Sequence, residues 1–250
     1  MKKIKELKIL LLQIRDQESV RREEHESFCR YSGLEPEQVD VLNVFEEPHF
    51  SPERAGSYDA VFVGGASEAN VMQPERYPFV MDCQRLLVFS LERDIPVFAS
   101  CFGFQLAVLA LGGEIVHQET DFEMGTIPIE VSEGAVEDPL FRDTPQNFMA
   151  VSVHQQKATT IPVSCEILAF TSECVHAFRV KGKPFWAFQF HPEVDKRVLV
   201  ERLTFYRDKY TANRDHLNQV LAKAVETPES NRLLHKFIRR VLLNATNEVR

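Results

Sequence analysis

Residues 95–113 read IPVFASCFGFQLAVLALGG, and the order of residues in this stretch decides the fold. Pro96 opens a short apolar run, VFAS, suited to a strand buried on both faces. Cys101 follows at once, and FQLAVLAL then reads as an apolar helix closed by Gly112-Gly113. A cysteine therefore sits on a tight strand-to-helix turn, with Ala99 two residues before it and Gly103 two after. Small residues are needed at both places, because a strained elbow brings its flanks close together. A side chain on such a turn stands above the carboxyl end of its strand, where open α/β sheets place ligands. The first turn of the helix aims N–H groups at the same point and can supply a donor for an oxyanion. A buried structural cysteine on an ordinary βα turn is the alternative reading of these residues.

Working outward, LKILLLQI (7–14), VDVLNVF (39–45) and YDAVFV (58–63) read as further strands, the last ending at Gly64-Gly65. Residues 18–32 are polar, with Val20, Phe28 and Tyr31 as a sparse apolar set before Gly33, which predicts a surface helix with a glycine stop. A second helix is expected over 77–92. Strands alternating with helices predict an α/β fold, a mostly parallel open sheet with helices on both faces. From 114 to 190 the chain is strand-rich: EIVHQ, TIPIEV, NFMAVSV, EILAF, VHAFRV and PFWAFQF are separated by turn signals such as Glu133-Gly134 and Lys181-Gly182. These predict a small antiparallel sheet. Three apolar stripes follow at helical spacing: Leu199, Leu203 and Tyr206; Leu217, Val220, Leu221 and Ala224; and Leu234, Phe237, Ile238, Val241 and Leu242. The expected division is a main domain over 1–200 and a C-terminal helical extension over 201–250 packed on it.

Hydrophobic residues make up 44% and charged residues 26% of the 250, close to the globular average, which excludes a disordered chain. The net charge of −8 argues against general nucleic-acid binding, which needs a basic footprint. The charge divides unevenly: 12 basic and 6 acidic residues lie in 196–250, and 17 basic and 31 acidic in the rest. No run of 18 apolar residues exists, so no bilayer span is expected. The five cysteines, Cys29, Cys83, Cys101, Cys165 and Cys174, show neither a CxxC pair nor zinc-type Cys/His spacing. Free thiols in a reducing cytoplasm, and no metal, are the expectations.

A second element is PFWAFQFHPEV, an apolar strand stopping at His191. Pro192 keeps the chain after it out of a ladder, and Glu193 can turn back to hold one imidazole nitrogen while the other faces a thiol. A third is Gly64-Gly65, where glycine allows close approach and a backbone N–H can face an oxyanion. The loop lacks both GxGxxG and GxxxxGK[ST], so neither a dinucleotide site nor a P-loop is expected.

Gly64-Gly65, Cys101-Phe102-Gly103-Phe104-Gln105 and His191-Pro192-Glu193 together resemble the class I, or triad, glutamine amidotransferases. Between them EMGTIPIEV, EDPLF, VSVHQQKATTIP and LAFTSECVHAFRV look like that family's intervening strands and loops. The resemblance covers roughly residues 7–195 and looks closest to the free-standing GMP-synthase-like amidotransferase domains. It implies a flavodoxin-like fold, with Cys101 as nucleophile, His191 as general base and acid, and Glu193 as the orienting carboxylate. It further implies an oxyanion hole from the Gly65 and Phe102 N–H groups, and Gly64, Gly103, Gln105 and His154 around the substrate. The implied reaction is hydrolysis of the glutamine side-chain amide through a γ-glutamyl thioester, with no cofactor. The ammonia would pass to a separate synthetase, because no SGGxDS pyrophosphatase signature follows.

The sequence departs from the family pattern at Ala99, where glycine is usual, at Ser100, where an apolar residue is common, and at Ala66, where proline is frequent. The family's His-Gly-Asp-like loop reads His154-Gln155-Gln156, without its acid. Two alternatives follow: a γ-glutamyl hydrolase or peptidase acting on another γ-glutamyl compound, and a catalytically silent regulatory homologue.

Overall fold

The structure is a computed structural model, and it describes residues 2–118, 122–207 and 214–244. The first half alternates as expected: β1 (Ile9–Gln13), α1 (Glu18–Ser32), β2 (Val39–Asn43), β3 (Ala60–Val63), α2 (Phe79–Glu92), β4 (Val97–Ser100) and α3 (Phe102–Ala110). Helix α1 stops at Gly33, whose φ of 73° lets its N–H turn back to the Cys29 carbonyl. Seven strands follow: β5 (Glu114–His117), β6 (Met124–Val131), β7 (Asn147–Val153), β8 (Gln156–Thr160), β9 (Cys165–Phe170), β10 (Val175–Val180) and β11 (Phe185–Phe188).

Nine strands form one sheet in the order β2-β1-β3-β4-β11-β10-β9-β6-β7. The first five run parallel, and the remaining four join antiparallel. The parallel half thus has the order 2-1-3-4 plus one returning strand, the doubly wound pattern of flavodoxin-like sheets. The antiparallel strands extend this sheet; the separate small antiparallel sheet is only β5 with β8. Strand β8 was not expected from the sequence, because QKATT is polar and only its Ala158 is buried.

The parallel strands are buried on both faces, and their alternate residues enter different cores. Leu10 and Leu12 of β1, Val61 and Val63 of β3, and Val97 and Ala99 of β4 pack with Leu86 and Leu87 of α2 and Leu106 of α3. Ile9 and Leu11, Ala60 and Phe62, and Phe98 pack on the opposite face with Phe28 of α1. The tail completes that face. Helix α6 (Pro228–Lys236) runs into a π-helical turn over Phe237–Leu242, so the expected third stripe is helical but wider than α-helical spacing. Phe237 lies within aromatic contact of Phe62, Phe98 and Trp186. Burying one such ring stabilises the fold by roughly 2–3 kcal/mol.

Helices α4 (Lys196–Phe205) and α5 (Arg214–Lys223) form a third apolar cluster with Met124, Val151 and Val194. Of the expected extension over 201–250, residues 208–213 and 245–250 lie outside the described residues. No helix among the described residues is long and apolar enough to cross a membrane.

Candidate active site

The carboxyl ends of β3, β4 and β11 carry the three sequence elements to one place. Cys101 caps β4 with φ 51° and ψ −98°, a backbone conformation that an L-residue rarely holds. Its N–H is tied to the Phe188 carbonyl at 2.7 Å, and its carbonyl accepts from the Gln105 N–H at 3.1 Å. The elbow is thus held from the neighbouring strand and from its own helix. Ala99 does not have positive φ, so its methyl group is tolerated where the family usually has glycine.

Three glycines make the close approaches, none through positive φ. A Cβ on Gly103 would lie 2.8 Å from Cβ of Val63. One on Gly65 would lie 2.7 Å from Cε1 of His191, 2.9 Å from Nη2 of Arg15 and 3.5 Å from Cβ of Cys101. One on Gly64 would lie 2.8 Å from the Glu24 carboxylate. Neither the Gly65 nor the Phe102 N–H has a backbone acceptor among the described residues.

His191 is buried, and its N–H donates to the Val151 carbonyl at 2.8 Å, which fixes the ring's base. Its Nδ1 lies 2.7 Å from Oε1 of the fully buried Glu193 and donates to it. The ring also faces Cys101: a Cβ on Gly65 would touch both His191 and Cys101, and the thiol's own hydrogen bond runs to the Val153 carbonyl at 3.9 Å. Burial opposes a charge on this imidazole, but Cys101 and Glu193 outweigh it and raise the pKa from 6.5 to about 9. Burial likewise pushes the Glu193 carboxyl up, and His191 and Arg202 more than compensate, so it is held below its ordinary value. Cys101, His191 and Glu193 therefore form a chain of neighbouring groups.

A layer beneath this chain was not foreseen from the sequence. Arg15, just past β1, is buried; its Nε donates to Glu24 Oε1 at 2.8 Å and its Nη1 to Ser67 Oγ at 2.8 Å. Burial pushes the Glu24 carboxyl up against the pull of Arg15 and Arg202. Arg202, from α4, also donates to Glu23 at 2.6 Å, which ties α4 to this layer. A signal for Glu24 exists in the sequence: Val20, Glu24 and Phe28 share the i, i+4, i+8 face of α1, and all three are buried.

A cavity of about 210 Å³ opens above Cys101 and is lined by Phe102, Gln105, Glu68, Asn70, Arg76, Tyr77, His117 and residues 153–156. Gln105 Nε2 donates to the Gln156 carbonyl at 3.3 Å across its floor. His154 reaches this cavity, but both its ring nitrogens are engaged, Nδ1 by the Gln156 carbonyl and Nε2 by Glu123, each at 2.9 Å. Sequence spacing pointed to no metal. The fold nonetheless gathers Glu123, His154, Cys174 and His176 with one candidate ligand atom each, all within 4.8 Å of one another.

Residues 31–207, more than half of the chain, match the family model described as glutamine amidotransferase class-I. The chain belongs to this family. A glutamine-hydrolyzing GMP synthase subunit from Methanococcus aeolicus is 35% identical over 118 residues, 47% of this chain and 61% of that protein. The corresponding subunit of Methanococcus maripaludis strain C7 is 36% identical over 166 residues, 66% of this chain and 78% of that protein. A glutamine amidotransferase from Thermotoga maritima superposes with a TM-score of 0.76 at 19% identity, covering 94% of this chain and 98% of that one. One from Methylobacillus flagellatus gives 0.72 at 16% identity, covering 97% of each chain. At these identities the structural likeness establishes the fold.

Proposed function

We propose that this amidotransferase hydrolyses the side-chain amide of glutamine through a thioester on Cys101. The reading is carried by one observation: a cysteine on a strained elbow lies beside an imidazole whose Nδ1 is held by a buried carboxylate. The Cys101 sulfur attacks the amide carbon as its proton passes to His191, and the oxyanion faces the Gly65 and Phe102 N–H groups. His191 passes its proton to the amide nitrogen, which leaves as ammonia. The same ring then takes a proton from water, whose oxygen attacks the thioester. Glutamate leaves as the sulfur recovers its electron pair. Glu193 keeps the ring in the right tautomer throughout.

The cavity also suggests how the rest of an amino acid is held. Gln156 replaces the acid of the family's loop, and Glu68 and Arg76 line the same space with a carboxylate and a guanidinium. These are candidates to meet an α-ammonium and an α-carboxylate. Ammonia transfer to a separate synthetase is supported by relatives that carry the name of a synthase subunit. The five free cysteines suit a reducing cytoplasm.

The missing acid keeps a second reading, hydrolysis of a γ-glutamyl conjugate. Glutamate and ammonia release from glutamine, set beside a panel of γ-glutamyl amides and peptides, separates the two. Glutamine is expected to have the highest kcat/KM, with Glu68→Gln raising KM more than it lowers kcat. A conjugate preferred over glutamine would overturn the choice of substrate and leave the triad in place.

A further inference from the structure

We propose that Glu123, His154, Cys174 and His176 form a closed, four-coordinate zinc site beside the catalytic cavity. The four come from three separate places: Glu123 precedes β6, His154 follows β7, and Cys174 and His176 lie two apart at the start of β10. Glu123 Oε2 lies 2.9 Å from Nε2 of His154 and 2.7 Å from Nε2 of His176. Cys174 Sγ lies 3.5 Å from Nε2 of His176 and 3.7 Å from Glu123 Oε2. Tetrahedral zinc with these donors sets ligand atoms roughly 3.3–3.6 Å apart. The 3.5 Å sulfur–ring distance fits, the 3.7 Å sulfur–carboxylate distance is slightly long, and the carboxylate oxygen must withdraw from the rings by less than about 1 Å.

The hydrogen-bond pattern points the same way. A carbonyl only accepts, so His154 Nδ1 must carry the proton it shares with Gln156. That leaves Nε2 of a buried ring facing a carboxylate oxygen. A second buried imidazole lies alongside, with ring centroids 5.6 Å apart, so both Nε2 atoms and the carboxylate oxygen face the place a cation would take. The arrangement also has the supporting bonds of a metal site: a backbone carbonyl orients His154, and Thr171 Oγ1 holds the other Glu123 oxygen at 2.9 Å. A thiolate, a carboxylate and two neutral rings balance a divalent cation, and this donor set favours zinc over calcium or magnesium. With four protein donors no position is left for a substrate, so the role is structural. The site would pin the β7–β8 rim, from which Val153 presents its carbonyl to the Cys101 thiol at 3.9 Å.

The test is elemental analysis and zinc-edge X-ray absorption on the full chain after reloading with zinc and gel filtration, with Cys174→Ser, His176→Gln and Cys101→Ala in parallel. One zinc per chain with one sulfur in its shell is expected. The affinity should fall at least about tenfold in Cys174→Ser and His176→Gln and stay unchanged in Cys101→Ala. Should those two variants not fold, competition of wild-type apoprotein against a colorimetric chelator gives the same answer from stoichiometry and affinity. Absence of retained zinc, a shell without sulfur, or zinc lost through Cys101→Ala and kept in Cys174→Ser would each overturn the proposal.

Discussion

Two regions of this molecule hold the same three kinds of side chain and arrange them oppositely. At the carboxyl ends of the parallel strands, His191 lies beside Cys101 and binds Glu193 through Nδ1. Beside the antiparallel strands, Cys174, His176 and Glu123 turn their donor atoms toward one point, joined by His154. Such a chain lets a proton pass between sulfur and ring while Nδ1 stays on the carboxylate. A convergent set has no such direction, because both rings present Nε2 to one oxygen. Residue types alone do not distinguish the two arrangements; the backbone does. Cys101 sits at positive φ on an elbow, whereas Cys174 and His176 lie two residues apart along one strand edge.

The largest expected difference between the regions is in turnover. Cys101→Ala should lower glutamine hydrolysis by at least about 10³-fold, measured as glutamate release. Cys174→Ser should lower it by about tenfold or less. Comparable losses in both would erase the distinction.

The next effect is on stability. Glu24 and Arg15 form a buried pair below the Cys101 site, so Glu24→Gln should reduce the free energy of unfolding by about 3–5 kcal/mol in urea titrations. A change near zero would show that the pair does not support the elbow.

Gly65→Ala sharpens the geometric side of the comparison. Its methyl group would press on His191, and a displacement of about 1 Å at a reacting group lowers kcat on the order of 10²-fold. The unfolding midpoint should move little by comparison. Unchanged kcat would mean that the ring's position is not critical.

The smallest expected effect is a titration. His191 is raised from 6.5 to about 9, so its proton is held more tightly in the folded chain. The stability this provides is complete below pH 6.5 and is lost as pH rises through 9. NMR of the ring should show a midpoint near 9 in the wild type and a lower one in Cys101→Ala, where the neighbouring sulfur is gone. An identical midpoint in both would separate the ring from the thiol.

Much of the first region was legible in the sequence because its signals are local. VFAS-Cys-FGFQ and FQF-His-Pro-Glu place chemistry directly at strand ends, and the parallel strands are continuous apolar runs. The second region was not legible. Its ligands span positions 123 to 176, and strand pairing across β6, β7 and β10, rather than spacing, brings them together. The antiparallel strands of the large sheet were recognised individually, but their joining to the parallel strands through the β10–β11 pairing leaves no mark in composition. Arg15 was visible only as the end of an apolar run, because its partner Glu24 lies on a helix whose outer face is equally charged.

The most direct measurement is covalent labelling with an electrophilic glutamine analogue, read by intact mass and peptide mapping. A single adduct on Cys101, slowed by free glutamine and absent from Cys101→Ala, is the expected result. A folded protein that takes no label at Cys101, or takes it equally on Cys174, would contradict the assignment of the reacting sulfur.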